Sequence, residues 1–285
     1  MSNESITKTF TVATLLAIVC AIIVSLSDVS LKGLQRQNQE LDKQTNILRA
    51  AGLVELNEKV TAAQAAELFK KSVTLVVDLE TGELVTDVAP SEVASDKTNV
   101  RPLSKDDDLA GIGTTPQKQL VYAFYDEHDS LQTLALPIVG TGLWSTLYGF
   151  LSLNSDLETV RRLVFYEHGE TPGLGGEISN PAWVSKWEGK VAFNADGAPI
   201  IRVIKGTVNP SDDDANSQVD GISGATLTGK GVTNTVAFWL GDNGYGPFLK
   251  NLREGKLQLP VPSAQSERPS ESGEPAEAAQ NAAAN

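Results

Sequence analysis

An uncharged stretch near the N-terminus limits the fold of this chain more than any other feature. Residues Thr9 to Ser27 contain no charged side chain over nineteen positions. As an α-helix, this stretch spans about 28 Å at 1.5 Å per residue, which is close to the roughly 30 Å hydrocarbon core of a bilayer. We therefore predict one transmembrane helix over residues 9–29, after a short N-terminal segment over residues 1–8.

Three other interpretations of this stretch are open. A cleaved signal peptide would use the small residues of Ser25–Ser27, but its basic region would hold only Lys8 against Glu4. A lipoprotein signal would need a small residue before Cys20, where Val19 stands. A buried core helix is disfavoured by the length of the stretch and by its terminal position.

Composition and charge exclude several classes of function. The chain has 285 residues and a formal net charge of −13, and it shows no basic face of the kind that a nucleic-acid-binding protein needs. Its single cysteine, Cys20, excludes an intrachain disulfide and a zinc or iron–sulfur site ligated by several cysteines of this chain. With only two histidines, His128 and His168, we predict no metal site.

The rest of the chain divides by composition. Residues 30–60 are polar with spaced apolar positions, which predicts a helical stalk. Thr61, with Gln64 three residues later, is typical of a capping box that opens a second helix ending at Phe69. Residues 61–260 form one predicted domain with an inserted subregion between residues 87 and 108. Residues 261–285 lack aromatic side chains and apolar periodicity, and we predict a disordered acidic tail there.

The apolar pattern of the domain favours strands with few helices. Strands are predicted at 73–79, 120–125, 131–139 and 146–153, a helix or strand at 160–166, a hairpin of 190–193 with 199–204, and a helix at 233–240. The second and third strands pair across a turn at residues 126–130. The predicted fold class is α+β, with one N-terminal transmembrane helix followed by a twisted antiparallel sheet with flanking helices.

A loop of small and hydroxyl residues precedes the last predicted helix. It reads Asp-Gly-Ile-Ser-Gly-Ala-Thr-Leu-Thr from Asp220 to Thr228. Glycines let backbone N–H groups approach a ligand, and the N-terminus of a helix favours a phosphate group. An ordinary turn with a helix cap would have the same composition. The candidate ligand-binding residues of this loop are Asp220, Ser223, Gly224, Ala225, Thr226, Leu227 and Thr228.

Two further segments are rich in turn-forming residues. Residues 168–177 contain Pro172, followed by three glycines that could pack flat against a planar ring, although an ordinary surface turn would look the same. Residues 140–145 contain Trp144, which suits either a cover over a flat ligand or a place in the core. Lys205, at the end of a predicted strand, is a candidate cation for a phosphate or a ring.

In this order, the three motifs resemble those of the FMN-binding domain family. Together with the membrane helix, they resemble the C subunits of sodium-translocating NADH:quinone reductases. The resemblance implies a phosphoester bond between FMN and Thr226, since Thr228 stands two positions too late for the pattern. It also implies that Trp144 covers the isoalloxazine ring and that Lys205 lies near the phosphate or the ring. The glycine-rich segment would lie along the ring through Glu170, Thr171, Gly173, Leu174 and Gly175.

The resemblance implies an electron-relay subunit of a respiratory complex in the bacterial inner membrane. That complex would oxidise NADH, reduce quinone and export sodium, and this chain, which has no catalytic residue beyond the flavin, would be inactive without the other subunits. A separate flavin transferase would attach the FMN. The flavin domain would lie on the periplasmic side, although four basic residues within residues 32–49, against Lys8 alone before the helix, favour the cytoplasm. The alternatives are the G subunit of the ferredoxin/NAD electron-transport complex and a membrane-anchored, non-enzymatic flavin-binding module.

Overall fold

One long helix, α1 (Ile6–Ala50), contains both the predicted membrane helix and the first part of the predicted stalk. The computed structural model describes residues 6–262, so the first five residues and nearly all of the predicted acidic tail lie outside the described residues. With 45 residues, α1 is about 68 Å long. Its apolar stretch is exposed, and α1 is the one helix within residues 6–262 that is long and apolar enough to span a membrane.

The stalk is helical only as far as Ala50, so the prediction of a helical stalk over residues 30–60 is wrong for its last ten residues. Gly52 adopts a left-handed conformation with φ of +69°. The N–H of Leu53 donates to the carbonyl oxygen of Leu48 at 3.0 Å. This is a Schellman termination, and residues 51–60 continue as turns and irregular chain that lead the backbone onto the sheet.

Five antiparallel strands form the central sheet, in the order β1-β4-β5-β6-β7. The strands of the described residues are β1 (Ser72–Asp78), β2 (Arg101–Pro102), β3 (Thr114–Thr115), β4 (Lys118–Tyr125), β5 (Leu131–Thr141), β6 (Thr146–Asn154), β7 (Val160–Glu167), β8 (Arg202–Val203) and β9 (Gln218–Val219). The helices after α1 are α2 (Ala62–Phe69), α3 (Pro90–Ser95), α4 (Pro181–Val184), α5 (Thr226–Leu240) and α6 (Gly246–Arg253). The segment that fitted either a helix or a strand is the strand β7, and the predicted capping box of Thr61 and Gln64 is confirmed.

Helices cover both faces of the sheet. On one face, Ile47 and Leu48 at the end of α1 share a core cluster with sheet residues such as Phe124. On the other face, Val232 and Val236 of α5 join the second cluster. Because both faces are buried, the strands are apolar over continuous runs instead of alternating between apolar and polar residues. The α+β class predicted from the sequence is confirmed.

The end of α1 is also fixed to the sheet by a buried arginine. Arg162 of β7 donates from its Nη1 atom to the carbonyl oxygens of Arg49 at 3.0 Å and Val54 at 3.2 Å. Its Nε atom donates to Glu188 at 2.7 Å. The apolar helix is therefore joined to the sheet through the chain termination that follows it.

The predicted hairpin of residues 190–193 and 199–204 is wrong in most of its length. Its two halves are joined only near the turn, by the bridge of Phe193 with Pro199 and by the N–H groups of Ile200 and Ile201, which donate to the carbonyl oxygen of Ala192. Residues 202–203 instead form β8 and pair in parallel with β9, so that the N–H of Ile204 donates to the carbonyl oxygen of Val219 at 2.9 Å. This long-range pairing, which local pattern does not reveal, places Lys205 beside the loop that begins at Asp220.

The last predicted helix begins seven residues earlier than expected. Helix α5 starts at Thr226 instead of residue 233, because the small and hydroxyl residues of its first two turns hide the helical period. It ends at Leu240, and α6 follows as a separate helix. The predicted inserted subregion between residues 87 and 108 contains α3 and β2, and β2 pairs with β3, which lies beyond it.

Candidate functional site

The loop between β9 and α5 is held in place by its first residue. Asp220 accepts a hydrogen bond from the backbone N–H of Val208 at 2.7 Å and forms an ion pair with Lys186 at 2.7 Å. Its main-chain oxygen accepts from the indole N–H of Trp183 at 2.9 Å. Burial opposes ionisation of this carboxyl, but the hydrogen bonds from Lys186 and Val208 outweigh it and lower the pKa of Asp220. The carboxylate is thus turned toward the protein.

The loop ends at a helix N-terminus without a side-chain cap. Ala225 occupies the N-cap position of α5 and offers no acceptor to the N–H groups of the first turn. Gly224 adopts φ of +73°, a conformation that L side chains rarely adopt, which turns the chain into the helix. A fifteen-residue helix whose first N–H groups have no side-chain acceptor is suited to an anion at this end.

Burial distinguishes the two threonines that follow. The side chain of Thr226 is exposed at the first position of α5. Thr228 is only 1% exposed, and its hydroxyl donates to the carboxylate of Glu170 at 2.6 Å. Of these two residues, only Thr226 therefore presents an accessible hydroxyl at the start of the helix.

A cleft of about 540 Å³ opens beside Thr226. Four basic side chains line it, together with the predicted residues Asp220, Ser223, Gly224 and Ala225. The basic residues are Lys186, Arg202, Lys205 and Lys230. Lys186 pairs with Asp220 and Arg202 with Asp214, whereas Lys205 and Lys230 form no ion pair with any residue in the 6–262 range. The cleft therefore offers two uncompensated positive charges to an anion next to Thr226.

Glu170 lies beneath the neighbouring loops and is only 5% exposed. Its Oε1 atom accepts hydrogen bonds from the backbone N–H groups of Trp144 at 2.8 Å and Ser145 at 3.3 Å, and its Oε2 atom accepts from Thr228. Burial would raise the pKa of Glu170, but the hydrogen bonds from Thr228 and from the backbone of residues 143–145 lower it overall. The carboxylate is ionised at neutral pH, and each of its oxygens accepts at least one hydrogen bond from the protein.

Four apolar side chains near Thr226 are exposed, and we call this set the apolar platform. They are Leu143, Trp144, Leu174 and Leu227, exposed by 42%, 72%, 44% and 60% respectively. They belong to segments that converge here, because Glu170 binds the loop of Trp144 to α5 and Leu174 lies against Gly224. The structure thus places Trp144 at the surface and not in the core. An exposed apolar surface beside a cationic cleft suits a ligand with a flat apolar part and a phosphate.

The remaining predicted residues lie around the platform. Thr171 and Gly173 are exposed in the turn that carries Leu174, and the backbone oxygen of Thr171 accepts hydrogen bonds from Leu174 and Gly176. Gly175 is buried against Glu170 and Thr228. The fold therefore brings all fourteen predicted site residues into one region, and four of them are buried there. The buried ones are Glu170, Gly175, Ala225 and Thr228.

The sequence interpretation missed three cations of the cleft. Lys230 follows Thr226 by four residues, a spacing that places both on one face of a helix and could have identified it. Lys186 and Arg202 reach the cleft only because β8 pairs with β9 and because Lys186 binds Asp220. No local signal in the sequence indicates those two contacts.

The FMN-binding domain family matches residues 142–241, which include the apolar platform, Glu170, the cleft and α5. Fold and site together define an FMN-binding protein with an N-terminal apolar helix.

Similar proteins narrow this class. The C subunit of the Na(+)-translocating NADH-quinone reductase of Yersinia pestis is 42% identical over 264 residues, covering 90% of this chain and 97% of the relative. The corresponding protein of Pseudomonas aeruginosa is 43% identical over 262 residues, covering 90% and 99%. The crystal structure of Shewanella oneidensis NqrC has a TM-score of 0.66 at 32% identity, covering 77% of this chain and 99% of that one. The chain belongs to the family of C subunits of the Na(+)-translocating NADH-quinone reductase, and the resemblance drawn from its three motifs is confirmed.

Proposed function

We propose that this protein is a membrane-anchored electron relay that carries FMN covalently, as a phosphoester on Thr226. Membership of the family makes it a subunit of that complex, with the other subunits as its partners. The observation that carries the covalent attachment is the position of Thr226. Its exposed hydroxyl stands at the uncapped N-terminus of α5, between the cationic cleft and the apolar platform.

The residues around Thr226 suit the two parts of FMN. Lys205 and Lys230 would offset the charge of the phosphate, and the first-turn N–H groups of α5 would donate to its oxygens. The apolar platform would contact the ring system and exclude water from one of its faces. When bound, FMN supplies the one- and two-electron redox chemistry of the relay. The protein groups bind, orient and shield it.

Attachment requires a separate flavin transferase that uses FAD as donor. The Thr226 oxygen forms the new P–O bond, the pyrophosphate bond of FAD breaks, AMP leaves, and the hydroxyl proton is released. Asp220 would help to present the loop to that enzyme, since its carboxylate is held by Lys186 and Val208 and fixes the start of the loop.

The relatives' name describes a Na(+)-translocating NADH-quinone reductase. The complex would accordingly oxidise NADH and reduce quinone, and the direction of sodium transport that we propose is export. A single apolar helix cannot enclose an ion path by itself, so sodium would cross through other subunits. The flavin domain would lie on the periplasmic side of the inner membrane. Support for this side comes from the resemblance, because the positive-inside rule is weak for long domains that cross the membrane as a unit.

Attachment can be tested on the full chain, co-expressed with a flavin transferase and purified in detergent. We expect fluorescence in an SDS gel under ultraviolet light, with an FMN adduct on the peptide of Thr226 by mass spectrometry. Thr226→Val should lose the adduct, and the control variants Ser223→Ala and Thr228→Val should keep it. An unmodified wild-type chain, or an adduct that survives in Thr226→Val, would contradict the proposal.

The side of the membrane needs its own test. A reporter enzyme that is active only outside the cytoplasm, fused after Asn285, should be active. A matched fusion of a reporter that is active only in the cytoplasm should be silent. The reverse pattern would place the flavin domain in the cytoplasm, as the distribution of basic residues around the apolar helix suggests.

A further inference from the structure

The carboxylate of Glu170 joins three segments that are far apart in the sequence. Its Oε1 atom accepts the N–H groups of Trp144 and Ser145, and its Oε2 atom accepts the hydroxyl of Thr228, two residues after Thr226. One side chain therefore connects the loop before β6, the glycine-rich turn after β7 and the first turn of α5.

The loop before β6 and the glycine-rich turn after β7 are also joined by a hydrogen bond in the opposite direction. The hydroxyl of Ser145 accepts a hydrogen bond from the backbone N–H of Gly169 at 2.6 Å, next to Glu170. His168 is also fixed, because its Nε2 atom lies 2.7 Å from the hydroxyl of Ser179, which donates to the carbonyl oxygen of Phe165. Each of the two loops therefore donates a backbone hydrogen bond to a side chain of the other.

The backbone closes tightly around this carboxylate. A Cβ atom on Gly142 would lie 2.5 Å from Oε1 of Glu170, and one on Gly175 would lie 2.6 Å from Oε2. Both distances are shorter than Cβ atoms show in proteins. Because glycines surround it and donors of the protein occupy both oxygens, the carboxylate lacks the exposure that direct contact with a ring would require.

This geometry separates two roles for Glu170. In the role expected from the sequence, the side chain lies along the isoalloxazine ring, where its negative charge would disfavour an anionic reduced flavin. In the structure, the side chain points into the contact between Trp144 and α5. Its effect on the ring would then pass through the position of the apolar platform.

We infer that Glu170 is a positioning residue, which acts with Thr228 to fix the backbone of Trp144 and Ser145 against the first turn of α5. It thereby sets the orientation of the apolar platform relative to Thr226. The part of this inference that concerns the flavin rests on the proposed function, whereas the fixing of the two backbone segments does not.

The first test uses the full chain in detergent, expressed without the transferase. Amide hydrogen exchange is followed at Trp144 and Ser145. Glu170→Ala should speed exchange at both amides by about tenfold, since each loses its acceptor. Thr228→Val should speed it in the same direction by a smaller factor, and Thr228→Ser should restore the wild-type rate. Glu167→Ala, which removes an exposed carboxylate three residues away, is the control and should leave the rate unchanged.

The second test uses the flavin-bearing chain. Visible circular dichroism of the flavin should change in the same way in Glu170→Ala and Thr228→Val, and Thr228→Ser should resemble the wild type. Glu170→Gln keeps the shape and one acceptor oxygen, so its flavin midpoint potential should stay close to that of the wild type. A direct contact of the charge with the ring predicts the opposite: Glu170→Gln raises the potential while Thr228→Val has no effect.

The outcomes separate the inference from the proposed function. Unchanged exchange at Trp144 and Ser145 in Glu170→Ala overturns the inference, even when the wild-type chain carries FMN. A raised potential in Glu170→Gln without any effect of Thr228→Val also overturns it. A wild-type chain without an FMN adduct overturns the proposed function instead, and the exchange rates still decide whether Glu170 fixes the two segments.

Discussion

The close approach of Gly221 to the strand beside it makes Gly221→Ala an informative change. The N–H of Gly221 donates to the carbonyl oxygen of Gly206 at 2.8 Å. A Cβ atom at this position would lie 2.3 Å from the backbone oxygen of Ile204 and 3.1 Å from the backbone nitrogen of Gly206. Ordinary contacts begin near 3.4 Å, so the loop would have to move by about 1 Å away from β8 and from Lys205.

The expected cost follows from three contributions. Overpacking against backbone costs about 1–3 kcal/mol, and loss of the hydrogen bond to Gly206 adds about 1 kcal/mol. The lower entropy of alanine in the unfolded chain offsets about 0.4–1 kcal/mol. Together these terms give an expected loss of unfolding free energy of about 1–4 kcal/mol in Gly221→Ala. The same displacement should reduce the fraction of chains that carry FMN, because the loop that leads to Thr226 would move away from Lys205.

Urea unfolding of the detergent-solubilised full chain, followed by tryptophan fluorescence, measures this change. Trp183, Trp187 and Trp239 are buried and report on the core. Gly229→Ala is the matched control on the same cleft, since its Cβ atom would meet only the side chain of Val203 at 3.2 Å and alanine favours the helix. A loss of unfolding free energy below about 0.5 kcal/mol in Gly221→Ala, or one no larger than in Gly229→Ala, would refute the reasoning.

Three further predictions concern pH, the α1 junction and the apolar platform. Because folding lowers the pKa of Glu170 from its ordinary value of 4.5, the contribution of this carboxylate to stability is complete above pH 4.5 and is lost as the pH falls below that value. Urea unfolding on both sides of pH 4.5 should therefore show that the stability of Glu170→Gln falls less in acid than that of the wild type. Arg162→Ala should lower the free energy of unfolding by about 3 kcal/mol, because two main-chain carbonyls and Glu188 lose a largely buried donor. The control Arg161→Ala, at an exposed side chain, should change the free energy of unfolding by less than about 0.5 kcal/mol in the same urea titration. Trp144→Ala should leave the free energy of unfolding within about 0.5 kcal/mol of the wild type, since the side chain is 72% exposed, while changing the visible absorbance of the flavin; a larger loss of stability would assign Trp144 a packing role instead.

Local patterns predicted the elements whose signals lie within a few residues of one another. The capping box of Thr61 and Gln64, the hairpin of β4 and β5 and the apolar N-terminal helix are of this kind, and the structure confirms each of them. Elements with weak local signals were placed less well. The first two turns of α5 were missed because their small and hydroxyl residues carry no clear apolar period, and β8 was assigned to the wrong partner.

The linear sequence by itself determined the family, the class of cofactor and the short list of residues around it, because each of the three motifs is a contiguous string. Tertiary structure alone decided which hydroxyl is accessible. Thr226 and Thr228 are chemically alike and two positions apart, yet one faces solvent and the other is buried against Glu170, 58 residues away along the chain. Whether a hydroxyl is buried, and which side chain it binds, depends on how the sheet order and the β8–β9 pairing bring segments together that are distant in the sequence. A contiguous motif does not indicate which distant segment will pack against it.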